Sequence, residues 1–165
     1  MRRHNRLRTW IAQQYKATAD CKVAEEVRWP ELDRVCRSGP RRGQTEEARI
    51  DVVVQDMQGT QLLDVAVAAV ATLDGTELAR RMFEPGRAAR AQAHSKYLRY
   101  GPTVIPIVIE DTGRLHVEAL KMFRFLAKTA LDPAAEQRHL IGEFQAIMFT
   151  ASMQSQRAAR GVDRA

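Results

Sequence analysis

Asp51, Asp64 and Lys96 are the residues whose types and spacing could do chemistry together. Asp51 lies in "RIDVVV" and Asp64 in "LLDVAV", and each run is otherwise apolar. A carboxylate inside an apolar strand is costly unless a proton or a cation neutralises it. The polar "DMQG" at 56–59 reads as a hairpin turn between the two runs. If Gln55 pairs with Thr60 across that turn, continuing the register sets Asp51 opposite Asp64. Facing Cβ atoms in an antiparallel pair are about 5 Å apart. Two carboxylates at that separation can share a hard divalent ion such as Mg²⁺, whose oxygen ligands stand about 2.1 Å away. A one-residue slip would send one aspartate to the other face. Two ordinary surface aspartates near a hairpin end are the competing reading. The apolar residues on both sides of each aspartate set this pair apart from turn charges.

Lys96 belongs to "RAARAQAHSKYLRY", residues 87–100, which reads as a helix stopped by Gly101-Pro102. Ala89, Ala93, Tyr97 and Tyr100 form its inner stripe. Lys96 is three residues after Ala93 and four before Tyr100, so it flanks or joins that stripe. From there an ammonium could reach over the sheet to the carboxylates and hold a water or stabilise charge on a phosphate. A lysine snorkelling to solvent is the alternative.

The elements that must position these residues follow from periodicity. Leu7, Trp10, Ile11 and Tyr15 have helical spacing within residues 4–19. "CKVAEEVRW" reads as a first strand ended by Pro30, and 30–48 as a loop rich in turn formers and charge. The two aspartate-bearing runs are strands apolar on both faces, so the sheet should be covered twice. "TVIPIVIE", 103–110, is a further strand, with Pro106 favouring an edge or a bulge. Helices are expected near 114–129 and from Asp132-Pro133 to about 155, the latter with Leu140, Ile141, Phe144, Ile147, Met148 and Ala151 as its stripe. A frayed basic end should follow. The order α-β-β-β-α-β followed by helices predicts an α/β (α+β) fold with helices on a small mixed sheet.

Composition bounds the function. The chain of 165 residues is 45% apolar and 28% charged, as in globular proteins. No apolar run approaches the roughly 18 residues of a membrane span, and the basic "MRRHNRLRTW" lacks the apolar centre of a secretory signal. Cys21 and Cys36 form no C-x-x-C pair and, with His4, His94, His116 and His139, no ligand set, which suits an intracellular setting without structural zinc. The net charge of +6 is compatible with a polyanionic partner.

Taken in order, "RID", twelve intervening residues, "DVAV", a helix containing "KYLRY" and the strand "VIPIVIEDTGRL" resemble the restriction-like endonuclease domain of site-specific non-LTR retrotransposons, a branch of the PD-(D/E)xK nuclease superfamily. "RHNRLRTWIAQQ" resembles the helix that precedes the nuclease core there. The resemblance covers roughly residues 3–129. It implies a restriction-endonuclease-like core over 1–130 and a helical extension over 131–165. It implies metal ligation by Asp51 and Asp64 and a catalytic lysine at Lys96, moved from the third strand to the following helix. Arg99 and Tyr100 match the end of that helix motif. Ile50 stands where the family has Pro, and Val65 and Ala66 follow Asp64 where a D/E-x-K would stand.

The implied activity is Mg²⁺- or Mn²⁺-assisted hydrolysis of DNA phosphodiesters. Arg41, Arg42 and Arg99 are candidate phosphate contacts, although for each alone a solvated face is the stronger reading. The family's reverse transcriptase and zinc knuckle are not in this chain, so a reverse transcriptase module of the same element is an implied partner, with a nuclear location if the element is eukaryotic. Two alternatives stay open: a domain that kept the fold and lost activity, and a resolvase or repair nuclease of another branch.

Overall fold

The computed structural model describes residues 2–18, 21–36, 40 and 42–162. A four-stranded sheet is built from β1 (Lys22–Arg28), β4 (Arg49–Asp56), β5 (Gly59–Ala68) and β6 (Val104–Glu110), in the order β1-β4-β5-β6. β1, β4 and β5 are antiparallel, whereas β6 runs parallel to β5. The sheet is therefore mixed, as expected. Parallel entry needs a long crossover, and α2 (Gly75–Phe83) and α3 (Arg87–Tyr100) supply it. β6 lies at the sheet edge, where the missing N–H of Pro106 is tolerated.

The hairpin has the expected register. Gln55 faces Thr60 and Val52 faces Leu63. Asp56 closes the two-residue loop by accepting from the amides of Gln58 and Gly59. Gly59 has φ 137°, a backbone open to glycine.

Both sheet faces are covered. On one, α1 (Arg2–Ala17), α4 (Val117–Leu126) and α5 (Pro133–Val162) pack against Val52, Val54, Leu63, Val65, Ile107 and Ile109. Leu7, Trp10, Ile11 and Tyr15 are buried, so the apolar stripe of α1 is the face that docks. Phe144 of α5 meets Trp10 and Phe123 at ring centroid distances of 5.5 and 5.3 Å. The helix expected as an extension beyond residue 130 thus contributes Leu140, Phe144 and Met148 to the main core. Its backbone is helical to Val162, past the expected end near 155. On the other face, Ala88, Ala89 and Ala93 of α3 pack on Ala66, Ala68 and Val108. Small residues there bring α3 close to the sheet.

Two features differ from the sequence reading. α2 is one that the sequence reading does not include; it has Leu78, Ala79, Met82 and Phe83 at helical spacing but buries no residue. Polar contacts hold it: Asp74 accepts from the Glu77 amide, and Glu77 receives Arg81 and Arg87. The segment 30–48 contains a short hairpin of β2 (Arg34–Val35) and β3 (Thr45–Glu46), joined by an Arg34–Glu46 pair at 2.9 Å. Among the described residues no helix is long and apolar enough to cross a membrane.

Phe144 is fully buried between two aromatic rings. Phe144→Ala should therefore cost about 3–5 kcal/mol in urea unfolding. A loss below about 1 kcal/mol would mean that α5 contributes little to the core.

Candidate active site

β4 and β5 carry the two aspartates to the same end of the sheet. The regular pairing of these strands ends at Val52 and Leu63, one step before Asp51 and Asp64. In place of a ladder bond, Asp51 Oδ2 accepts from the Val65 amide at 2.7 Å. The β1–β4 ladder is also interrupted here. Glu25 pairs with Val52 and Val27 with Ile50, whereas Glu26, opposite Asp51, has left-handed backbone at φ 54°. Such backbone is unusual for a non-glycine residue. Asp51 therefore stands in a gap in both ladders, with its carboxylate bound to backbone.

Asp64 is 4% exposed and shares the face of Leu62 and Ala66. That is the face on which α3 packs, and it brings Lys96 down on Asp64. Lys96 Nζ lies 2.7 Å from Asp64 Oδ2, with side-chain exposures of 19% and 5%. The contact is an ion pair, and Oδ2 has no aligned hydrogen-bond donor. On the strand beside Asp64 stands Pro106, which offers no N–H.

α1 brings a fourth residue. His4 Nε2 donates to Asp51 Oδ1 at 3.0 Å. Burial, then the charge of Arg8, lowers the imidazole pKa, which favours neutral His4 near pH 7. Burial pushes the Asp51 carboxyl up to about 7, followed by its contact with Asp64 and the charge there. The Val65 amide and Lys96 act in the opposite direction. The balance is simple: two ionised carboxylates and one ammonium leave one net negative charge in a buried site. A proton on Asp51 removes it, and so would a cation.

Asp51, Asp64 and Lys96 therefore converge, from two strands and a helix. No family model matches the chain, and no curated protein matches it. The other candidate residues lie differently. Tyr100 is buried with Ile50, Val53, Leu62 and Val104, and burial followed by the charge of Asp64 raises its phenol pKa. Arg99 is not brought to the carboxylates. Its guanidinium pairs with Glu46 at 3.0 Å and lies 4.7 Å over the Tyr100 ring, fastening α3 to the β2–β3 hairpin. Arg42 is exposed on the turn of that hairpin, and Arg41 lies outside the described residues.

Sequence reasoning did not assign His4 to this site. Its signal was present: His4, Leu7 and Ile11 stand at i, i+3 and i+7, which puts His4 on the buried stripe of α1. Among the described residues no group of three or more His, Cys, Asp or Glu is set to hold a metal ion.

The aspartates should differ in a metal-free protein at pH 8. Asp51→Asn removes the uncompensated charge and should raise stability by about 1 kcal/mol. Asp64→Asn leaves Lys96 without its partner and should lower it by about 2 kcal/mol. Because the folded state raises the Asp51 pKa, its contribution is fully present below the unfolded value near 3.8 and is lost as pH rises to about 7. The advantage of Asp51→Asn over the parent should therefore grow between pH 4 and 7 and then level off. Thermal melts in EDTA across that range check both signs. A difference independent of pH would mean that Asp51 is not coupled to Asp64.

Proposed function

We propose that this chain is a metal-dependent DNA endonuclease domain with a restriction-endonuclease-like PD-(D/E)xK core, hydrolysing phosphodiester bonds. The observation that carries this reading is the meeting of Asp51, Asp64 and Lys96 at one end of the sheet, with Lys96 arriving from α3 rather than from β5. The retrotransposon resemblance demands that displaced lysine.

The pair fits a hard divalent cation on two grounds. The two carboxylates share one ammonium and lack one positive charge, and both offer oxygen ligands to a hard cation that supplies that charge. Mg²⁺ often binds through one or two carboxylates, with water and phosphate filling its other positions. Asp51 and Asp64 would hold it, and when bound it would supply an acidified water and neutralise charge on the scissile phosphate. Asp51 Oδ2 is held by the Val65 amide. Lys96 is the ion-pair partner of Asp64 among the described residues. Once the carboxylates are otherwise neutralised, its ammonium serves the phosphate or the attacking water. Phosphate contacts by exposed arginines such as Arg42 would position the duplex without reading its sequence.

One observation favours a second reading. Lys96 already occupies the position of a cation on Asp64, so the site is partly self-neutralised. A DNA-binding domain that had lost catalysis would keep that pair.

Supercoiled plasmid should be nicked or linearised with Mg²⁺ or Mn²⁺ and remain intact in EDTA. Asp51→Ala should abolish cleavage, and Lys96→Ala should slow it by about 100-fold. DNA binding should persist in both variants and fall steeply with salt. Binding without cleavage at any metal concentration would select the inactive-domain reading.

A further inference from the structure

His4 touches the site from an element that the carboxylates and the lysine do not use. It sits at the start of α1, one turn before Leu7, and the buried stripe from Leu7 to Tyr15 locks the helix on the sheet. Arg8, one turn further on, reaches Glu25 at 3.4 Å and also pairs with Glu26, while Thr9 donates to Glu25 at 3.1 Å. α1 is thus fastened to β1 at the two residues beside the break in its ladder. Those contacts aim His4 at the one residue of β4 left in the gap. His4 Nε2 donates to Asp51 Oδ1 at 3.0 Å, opposite the Val65 amide on Oδ2.

A carboxylate held by one hydrogen bond can still rotate about its last side-chain bond. Held at both oxygens, it cannot. Val65 supplies a backbone donor that no substitution at position 65, short of proline, removes. His4 supplies a side-chain hydrogen bond to the other oxygen. Partners that orient a metal-ligating group typically change metal affinity or activity 10–100-fold when mutated.

We propose that His4 is a positioning residue of the metal site: by donating Nε2–H to Asp51 it fixes the carboxylate in the orientation that receives the divalent ion. The inference rests on the nuclease reading for the identity of the ligand, and it acts through Asp51 rather than on DNA.

Replacement chemistry tests the role. Glutamine places an amide N–H the same number of bonds from Cα as Nε2 of histidine, whereas asparagine stops one bond short and alanine offers no donor. Mn²⁺ titration followed by electron paramagnetic resonance, on the whole chain without DNA, reads metal affinity directly. His4→Ala and His4→Asn should bind Mn²⁺ about 10–100-fold more weakly than the parent. His4→Gln should stay within a few-fold of it, and thermal melts of Gln and Asn variants in EDTA should be similar. A purely structural histidine would show no recovery with Gln. Parental Mn²⁺ affinity in His4→Asn overturns the proposal and leaves the nuclease reading standing. A parent chain that binds no Mn²⁺ removes the nuclease reading and the proposal with it. Should His4→Ala not fold, the Asn–Gln comparison decides alone.

Discussion

One buried and one partly buried carboxylate share a single ammonium, and the architecture around them depends on that imbalance. Asp64 and Lys96 neutralise one another at 2.7 Å, and Asp51 is left over. Burial of the surplus charge holds its carboxyl up to about 7. A core built only for stability would not keep such a group, since an apolar side chain of similar volume removes the desolvation cost. The protein instead provides for it. The Val65 amide is withdrawn from the ladder to serve Asp51, and Glu26 takes left-handed backbone opposite it. Departures of this kind from regular structure cluster at functional sites.

The rest of the fold supplies the walls and anchors of that site. The small side chains of Ala88, Ala89 and Ala93 let α3 approach the sheet closely enough for a lysine to reach Asp64. The N-terminal end of α3 is held from below, where buried Glu110 accepts from the Ala89 amide at 3.2 Å. Gly86 provides no capping side chain there, so the carboxylate from the end of β6 takes its place. At the other end, Arg99 ties the helix to Glu46 of the small hairpin. Lys96 therefore sits on a helix fixed at both ends. On the opposite face the aromatic contacts of Trp10, Phe123 and Phe144 hold α1, and with it His4.

Arg99 is tied into the fold: its guanidinium pairs with Glu46 and lies over the Tyr100 ring. The hairpin that engages it lies in a segment that reads as loop, because two-residue strands carry too little periodicity to detect. α2 is different: Leu78, Ala79, Met82 and Phe83 stand at helical spacing, but the stripe is short and Met82 and Phe83 are exposed rather than packed on the core.

Much of the site was legible in the sequence. Taking "DMQG" as a two-residue turn sets the register of β4 and β5, and a slip of one residue would send one aspartate to the other face. That register brought Asp51 and Asp64 together, and the helical stripe of 87–100 put Lys96 within reach. Local periodicity carries such information because neighbouring residues share a face. It carries none about which helix lies over which end of the sheet. Only the tertiary structure decided that α1 delivers His4 to Asp51, 47 positions away in the chain, that Arg99 turns to the β2–β3 hairpin, and that α5 completes the core. Those outcomes depend on the close packing of side chains distant in sequence, which no short window of residues encodes.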